Sequence, residues 1–300
     1  MVLGEGHPNT LATQHNLVQV YYKQGKYVRA RPMCDDCLKK RQDVMGITHQ
    51  DTLLTMVLLA SFHEKGGEAE IGQRIYKECL ERFDICLEEQ KVLLSSNDHP
   101  KILELMSTMA YLHSKQQHSS HQSKAKELCE YCFRRRVAIL GDNHPDTLRS
   151  MRQLAIMLYK SDEYEEADSL FEQCLQKRKE FLGERHPETL ESMHNLATSY
   201  CSSRRESDKS QEAKCLYDQC LTKRRESLGV NHLATLSTLN NLAVLQYKND
   251  DQENAKTLYE EYLTKRRSLY GDYHPHPNQV HPDDIMGLLS AASFFDIDLF

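Results

Sequence analysis

The feature that most constrains this chain is a motif that keeps returning. Gly-x-x-His-Pro-Asp/Glu/Asn-Thr-Leu, or a close variant, begins at Gly4, Gly46, Gly141, Gly183 and Gly229, and Asn97-Asp-His99-Pro100-Lys-Ile-Leu stands in for the missing copy. The marker histidines His7, His49, His99, His144, His186, His232 and His274 are 42, 50, 45, 42, 46 and 42 residues apart. A fixed period of this size means supersecondary units stacked in a row, each contacting its neighbours. The units run at about 4–45, 46–95, 96–140, 141–182, 183–228 and 229–270, so residues 1–272 form one array.

Each unit reads as two helices. In the fifth, Pro187 suits a first helical turn, where its missing N–H is an orphan anyway, and Leu190, Met193, Leu196, Ala197 and Tyr200 make an apolar face at helical spacing. This is helix A. After a polar break comes helix B, as in Tyr164, Ala167, Leu170, Phe171, Cys174 and Leu175. Neither helix buries its stripe alone, so neighbouring hairpins must stack, and the expected fold is an all-α solenoid of about six hairpins.

Irregular steps are localised by a second marker, 30 residues after the histidine in regular units: Cys37, Cys79, Cys174 and Tyr262. Units three and five reach it late, at Cys132 and Cys220, which places surface-loop insertions at Gln116 to Ser123 and Ser202 to Ser210. In unit two the extra length falls after Cys79, around Phe83 to Asn97, which predicts a helix B longer by about two turns. Residues 273–300 break the pattern and are expected to form an irregular linker and one capping helix, Ile285 to Phe295. Met1-Val-Leu-Gly matches the tail of a helix B, which suggests a fragment of a longer array or an uncapped terminus.

Leu196-Ala-x-x-Tyr200 followed by Ala213-x-x-x-Tyr217-x-x-Cys220 resembles the tetratricopeptide repeat. The 42-residue period, Gly-x-x-His-Pro-x-Thr-Leu and Asn240-Asn-Leu-Ala243 resemble its kinesin light chain variety, over about residues 4–272. The resemblance implies a right-handed superhelix whose concave groove, lined by A helices, binds extended peptides, and in kinesin light chains that groove loads cargo adaptors onto a motor. The N-terminal coiled coil of that family has no counterpart in this sequence. The same variety of repeat occurs in large regulatory ATPases, so a sensor arm of such a protein is a second expectation.

Cys34-x-x-Cys37 and Cys129-x-x-Cys132 have the spacing of thiolate zinc sites or redox pairs, and a metal- or redox-responsive protein is a third reading. The repeat frame points instead to packing: the second cysteine of each pair shares its slot with Cys79, Cys174, Cys220 and Tyr262, the first with Tyr76, Phe171, Tyr217 and Tyr259. Cys86, Cys201 and Cys215 lie off these slots. The marker histidines, a repeat apart, cannot share one metal and are expected to act at the start of helix A. His118-Ser-Ser-His121, placed in a loop, lacks thiolate or carboxylate company. The basic triplets ending at Arg41, Arg136, Lys179, Arg225 and Arg267 recur late in helix B and are expected to be solvated cations facing the helix dipole.

One register suggests a binding function. Six residues beyond a core position of helix A (Leu17, Leu59, Met109, Leu154, Leu196, Leu242) stand Lys23, Lys65, Lys115, Lys160, Ser202 and Lys248. Just before the core position stand Asn16, Leu58, Thr108, Gln153, Asn195 and Asn241. By the family resemblance both positions look into the groove, with His15, Gln19, Arg149, Arg152, Gln153, His194 and Asn240 nearby. Lysines would then meet the carboxylates of an extended acidic peptide and amides its backbone. Lysine at the end of helix A also complements the helix dipole, and the two roles are compatible.

Composition and missing motifs exclude other classes. Lys plus Arg number 38 against 44 Asp plus Glu, a net charge of −6, so no global positive field draws the chain to nucleic acid or anionic lipid. No apolar run approaches the length of about 20 residues that spans a bilayer. The N-terminus has neither a basic nor an apolar leader region, and a cytoplasmic protein is expected. There is no Gly-rich phosphate loop, Gly-x-Ser-x-Gly or His-Glu-x-x-His, so neither catalysis nor a cofactor is expected.

Overall fold

The computed structural model describes residues 4–116, 118–201 and 209–270. Among them are twelve α-helices and no strand. They pair as hairpins: α1 (Pro8–Lys23) with α2 (Tyr27–Met45), α3 (Gln50–Lys65) with α4 (Ala69–Leu94), α5 (Pro100–Ser114) with α6 (Ser119–Leu140). Then come α7 (Pro145–Lys160) with α8 (Tyr164–Leu182), α9 (Pro187–Tyr200) with α10 (Ser210–Ser227), and α11 (Leu233–Lys248) with α12 (Gln252–Tyr270). Odd-numbered helices are the A helices and even-numbered ones the B helices. The architecture is an all-α helical repeat solenoid, divided within α6 into two compact units, residues up to Cys132 and residues from Phe133 on.

The repeated motif is a device for starting helix A. Each marker histidine is an extended N-cap whose Nδ1 accepts the backbone N–H two residues on, at 3.1 to 3.3 Å, in all six A helices. One of the four orphan N–H groups of the helix start is thereby satisfied. The motif glycine serves the preceding helix: Gly46, Gly141, Gly183 and Gly229 adopt φ between 83° and 93°, a conformation that closes helix B and is costly for any other residue. Ser95 ends α4 in the left-handed region instead.

Helix α4 has 26 residues against 19 in α2, the two extra turns expected from the sequence. The insertion at Gln116 to Ser123 is not a loop as expected: α6 starts at Ser119 and absorbs most of it as an added N-terminal turn. Its residues are compatible with helix and gain intrahelical bonds by extending it. The insertion of unit five lies mostly in residues 202–208, and the expected linker and capping helix in 271–300. Both lie outside the described residues, as does Ser202.

In the first unit Val18, Ala30, Cys34 and Phe62 form a buried cluster against Tyr21, Tyr22, Tyr27 and Leu58. Tyr22 and Phe62 meet edge to face with centroids 5.0 Å apart. In the second unit a buried cluster runs through α9 to α12, from Ala197 and Tyr217 to Leu242, Tyr259 and Tyr262. The core position of helix A is buried at Met109, Leu154, Leu196 and Leu242, but Leu17 is 40% exposed, because no described helix packs on that side of α1.

Candidate functional site

The lysine register lies at the C-terminal ends of the A helices. In the first unit Lys23 and Lys65 are the last residues of α1 and α3 and are exposed. Lys115 caps α5 but is half-buried: its Nζ lies 3.0 Å from both carboxylate oxygens of Glu64 on α3 and 5.5 Å from the centre of the Tyr111 ring. Tyr76 donates to the same carboxylate at 3.1 Å. Lys115 therefore ties successive A helices together. In the second unit Lys160 and Lys248 end α7 and α11 and are exposed.

The polar residues expected beside the lysines divide by burial. Asn16 and Gln19 on α1 and Arg149 on α7 are exposed, Arg149 pairing with Asp146 of its own helix at 2.9 Å. His15, Arg152, Gln153, His194, Asn195, Asn240 and Asn241 are buried. Asn241 donates to Tyr217 Oη at 3.2 Å, and Arg152 bonds Glu191 of α9 at 2.9 Å. His15, Arg152, His194 and Asn241 thus bond neighbouring helices. Asn195 Nδ2 is buried without a hydrogen-bond partner.

The two buried histidines share one arrangement. Gln19 Nε2 donates to His15 Nε2 at 3.0 Å, which leaves the His15 proton on Nδ1, 3.2 Å from Thr55 Oγ1. Thr55 donates to Asp51 O at 3.0 Å, so its oxygen accepts from both His15 and Arg41 Nη1, the latter at 2.8 Å. Thr238 repeats the pattern: it donates to Ala234 O, lies 3.3 Å from His194 Nδ1 and accepts from Arg224 at 2.7 Å. Burial, aided by the nearby Arg41, lowers the His15 pKa to about 4, and burial with Arg224 holds His194 well below its ordinary value.

These arginines correct the expectation for the basic triplets. Arg41, Arg136, Arg178 and Arg224 are each no more than 5% exposed. Each reaches from helix B to a hydroxyl on the next helix A, 14 residues on: Thr55, Ser150, Ser192 (2.8 Å) and Thr238. Arg178 also bonds Glu188 O at 2.9 Å and its carboxylate at 3.1 Å. At the corresponding junction of α4 with α5 both partners are apolar: Phe83 holds the arginine slot and Leu105 the hydroxyl slot, each fully buried. The sequence signal was an arginine one turn after the cysteine slot, in Cys37/Arg41, Cys132/Arg136, Cys174/Arg178 and Cys220/Arg224.

The cysteine slot is a packing position. Cys37, Cys132, Cys174 and Cys220 are buried and donate to the carbonyls of Leu11, Leu103, Leu148 and Leu190 at 3.2 to 3.5 Å. Burial pushes Cys79 up to about 12 and raises Cys34, Cys37 and Cys220, which leaves them protonated and unreactive. All ten cysteines are free thiols, and Cys215 alone is exposed. Among the described residues no three His, Cys, Asp or Glu side chains converge as metal ligands, and no helix is long and apolar enough to cross a membrane. His118 and His121 are joined by His113, whose Nδ1 is 2.8 Å from that of His121, and burial lowers the His113 pKa to about 4.

A tetratricopeptide repeat model matches residues 10–51 and 147–188, and a second matches residues 201–268, together about half of the chain. No curated protein sequence matches the chain. Among solved structures it is similar to BtubC (BKLC) from P. vanneervenii, with 16% identity and a TM-score of 0.52 over 90% of this chain and 96% of that one. It is similar to a Rap protein complexed with Competence and Sporulation Factor, with 11% identity and a TM-score of 0.54 over 88% and 78%. It also matches nearly identical TPR-like repeats of a Podosopora anserina protein named for kinesin light chain, with 20% identity and a TM-score of 0.47 over 76% and 99%. At these identities the likeness is one of fold.

Proposed function

The chain belongs to the tetratricopeptide repeat family, and from that premise we propose that it is a scaffold of the kinesin light chain-like variety, binding extended acidic peptide segments along its A helices in the manner of a cargo adaptor. A protein-interaction role follows from the family, whose repeats are generally non-enzymatic. The acidic preference rests on one observation: Lys23, Lys65, Lys160 and Lys248 occupy the same exposed register at the ends of A helices in an otherwise acidic protein. Asn16 and Gln19 add exposed amides that can bond a peptide backbone.

Exposed lysines favour carboxylates through salt-sensitive attraction that raises the association rate more than the final affinity. The test is an array of Asp/Glu-rich peptides beside neutral scrambles, probed with the wild type and with Lys23→Ala/Lys65→Ala and Lys160→Ala/Lys248→Ala variants at two salt concentrations. Preferential capture of acidic peptides, weakened by salt and by either double variant, is expected. Equal capture of neutral peptides, or acidic capture indifferent to all four lysines, would refute the reading.

A further inference from the structure

Within a hairpin, two positions flanking the turn answer each other: the residue 14 after the marker histidine, near the end of helix A, and the residue 11 before the cysteine slot, at the start of helix B. Where the first carries a ring, the second is usually its electrostatic complement. Lys26 Nζ lies 5.7 Å from the centre of the Tyr21 ring, and Lys209 Nζ lies 4.3 Å from that of Tyr200. His63 Nδ1 bonds the Glu68 carboxylate at 2.5 Å. The hairpin of α5 and α6 departs from this rule. There His113 faces His121, with Nδ1 to Nδ1 at 2.8 Å and ring centres 5.0 Å apart.

Two imidazoles this close share one proton: one Nδ1 donates it, and the other presents its lone pair to the same gap. That is a chelate with a proton in the place of a metal ion. The turn holds it in place, because Gln122, next to His121, donates from Nε2 to Ser114 O at 3.2 Å and to Gln116 O at 2.7 Å, fastening the start of α6 to the end of α5. Both rings are half-buried, so water has access to complete a coordination shell. At metal–nitrogen bonds of about 2.0–2.1 Å, nitrogens 2.8 Å apart subtend about 84–89°. The tetrahedral angle that zinc prefers, about 109°, would need them about 3.3 Å apart. A near-right angle between two nitrogens is instead the geometry of square-planar and tetragonal copper(II) and nickel(II). We propose that His113 and His121 bind one copper(II) or nickel(II) ion between their Nδ1 atoms, with water in the remaining positions. The displaced proton passes to Nε2 of the ring that carried it, so both imidazoles stay neutral and binding releases no net proton.

The experiment is calorimetric titration of the full chain at neutral pH with nickel, chosen because it does not oxidise the exposed Cys215 thiol. Wild type should take up one equivalent with a Kd on the order of 10 μM or below. His113→Gln and His121→Gln should each weaken that uptake by about tenfold or more. His118→Gln should leave it unchanged, since the His118 ring centre is 6.4 Å from that of His121 and the chelate does not use it. The double variant His113→Tyr/His121→Lys rebuilds the pairing of Tyr200 with Lys209, which preserves the hairpin without either ligand, and it should lose the equivalent even where a single variant loses helicity by circular dichroism. Zinc should bind wild type more weakly than nickel. A wild type without such an equivalent, uptake that survives in the double variant or in a folded His113→Gln or His121→Gln, loss in His118→Gln, or zinc bound as tightly as nickel overturns the proposal.

Discussion

The junction of α4 with α5 supplies a template for redesigning the junction of α8 with α9. Arg178 is 1% exposed and bonds Ser192 Oγ, Glu188 O and the Glu188 carboxylate. Arg178→Phe removes these bonds and leaves the buried Ser192 hydroxyl with only the weak Cys174 thiol at 3.6 Å, a cost of about 1–3 kcal/mol. Ser192→Leu removes a bond to a charged donor, about 1.5–3 kcal/mol, and crowds a filled site for about 1–3 kcal/mol more. Together they recreate the pair Phe83 and Leu105, in which neither partner asks for a hydrogen bond. Replacing both members of a buried polar pair with apolar groups is close to neutral, so the double variant should lose no more than about 1 kcal/mol. The lowest single costs sum to about 3.5 kcal/mol, so the cycle predicts a favourable coupling of at least about 2.5 kcal/mol, at the upper end for residues in contact. Urea midpoints by circular dichroism on the four proteins measure it, provided the denaturant slopes agree. A double variant as unstable as the sum of the singles would refute the idea that the two junction chemistries are interchangeable as pairs.

Three other outcomes follow from the same structure. His186→Ala removes the Nδ1 acceptor of the Glu188 N–H and should cost about 1 kcal/mol, whereas His186→Asn should restore most of it, read as thermal midpoints. Because the folded-state pKa of His15 is depressed from 6.5 to about 4, the unfolded chain binds the proton first as pH falls, and stability should drop by about 3 kcal/mol between these values. His15→Gln should flatten that part of the stability profile, and an unchanged slope would contradict the buried neutral imidazole. Under native conditions a thiol reagent should label Cys215 rapidly and the nine buried cysteines only on unfolding, and fast labelling of Cys37 or Cys174 would contradict their packing role.

The hairpins were legible because their signals are local and repeated: the histidine cap, the proline at the first turn, the closing glycine and the apolar period. The longer α4 was legible for the same reason, since the Cys79 marker arrives on time and the next histidine late. The fate of the Gln116 to Ser123 insertion was not, because an inserted polar segment has the same count whether it loops out or extends a helix. The burial of Arg41, Arg136, Arg178 and Arg224 escaped because each sits in a triplet of cations, and only the facing hydroxyl on the following helix distinguishes the buried one. The amides divided unpredictably for a similar reason: Asn16 and Asn241 share a register, yet one is exposed on α1 and the other is roofed by Tyr217 and its neighbours.

Hairpins built on one pattern carry a hazard during folding, since a helix B can dock on the wrong helix A and still bury apolar surface. The pair Phe83 and Leu105 makes such an error costly. If α2 skipped a hairpin and packed on α5, the guanidinium of Arg41 would face the side chain of Leu105, with no hydroxyl to receive it. The one apolar seam among the arginine seams acts as an index mark, and the chain counts its own repeats by chemistry as well as by order.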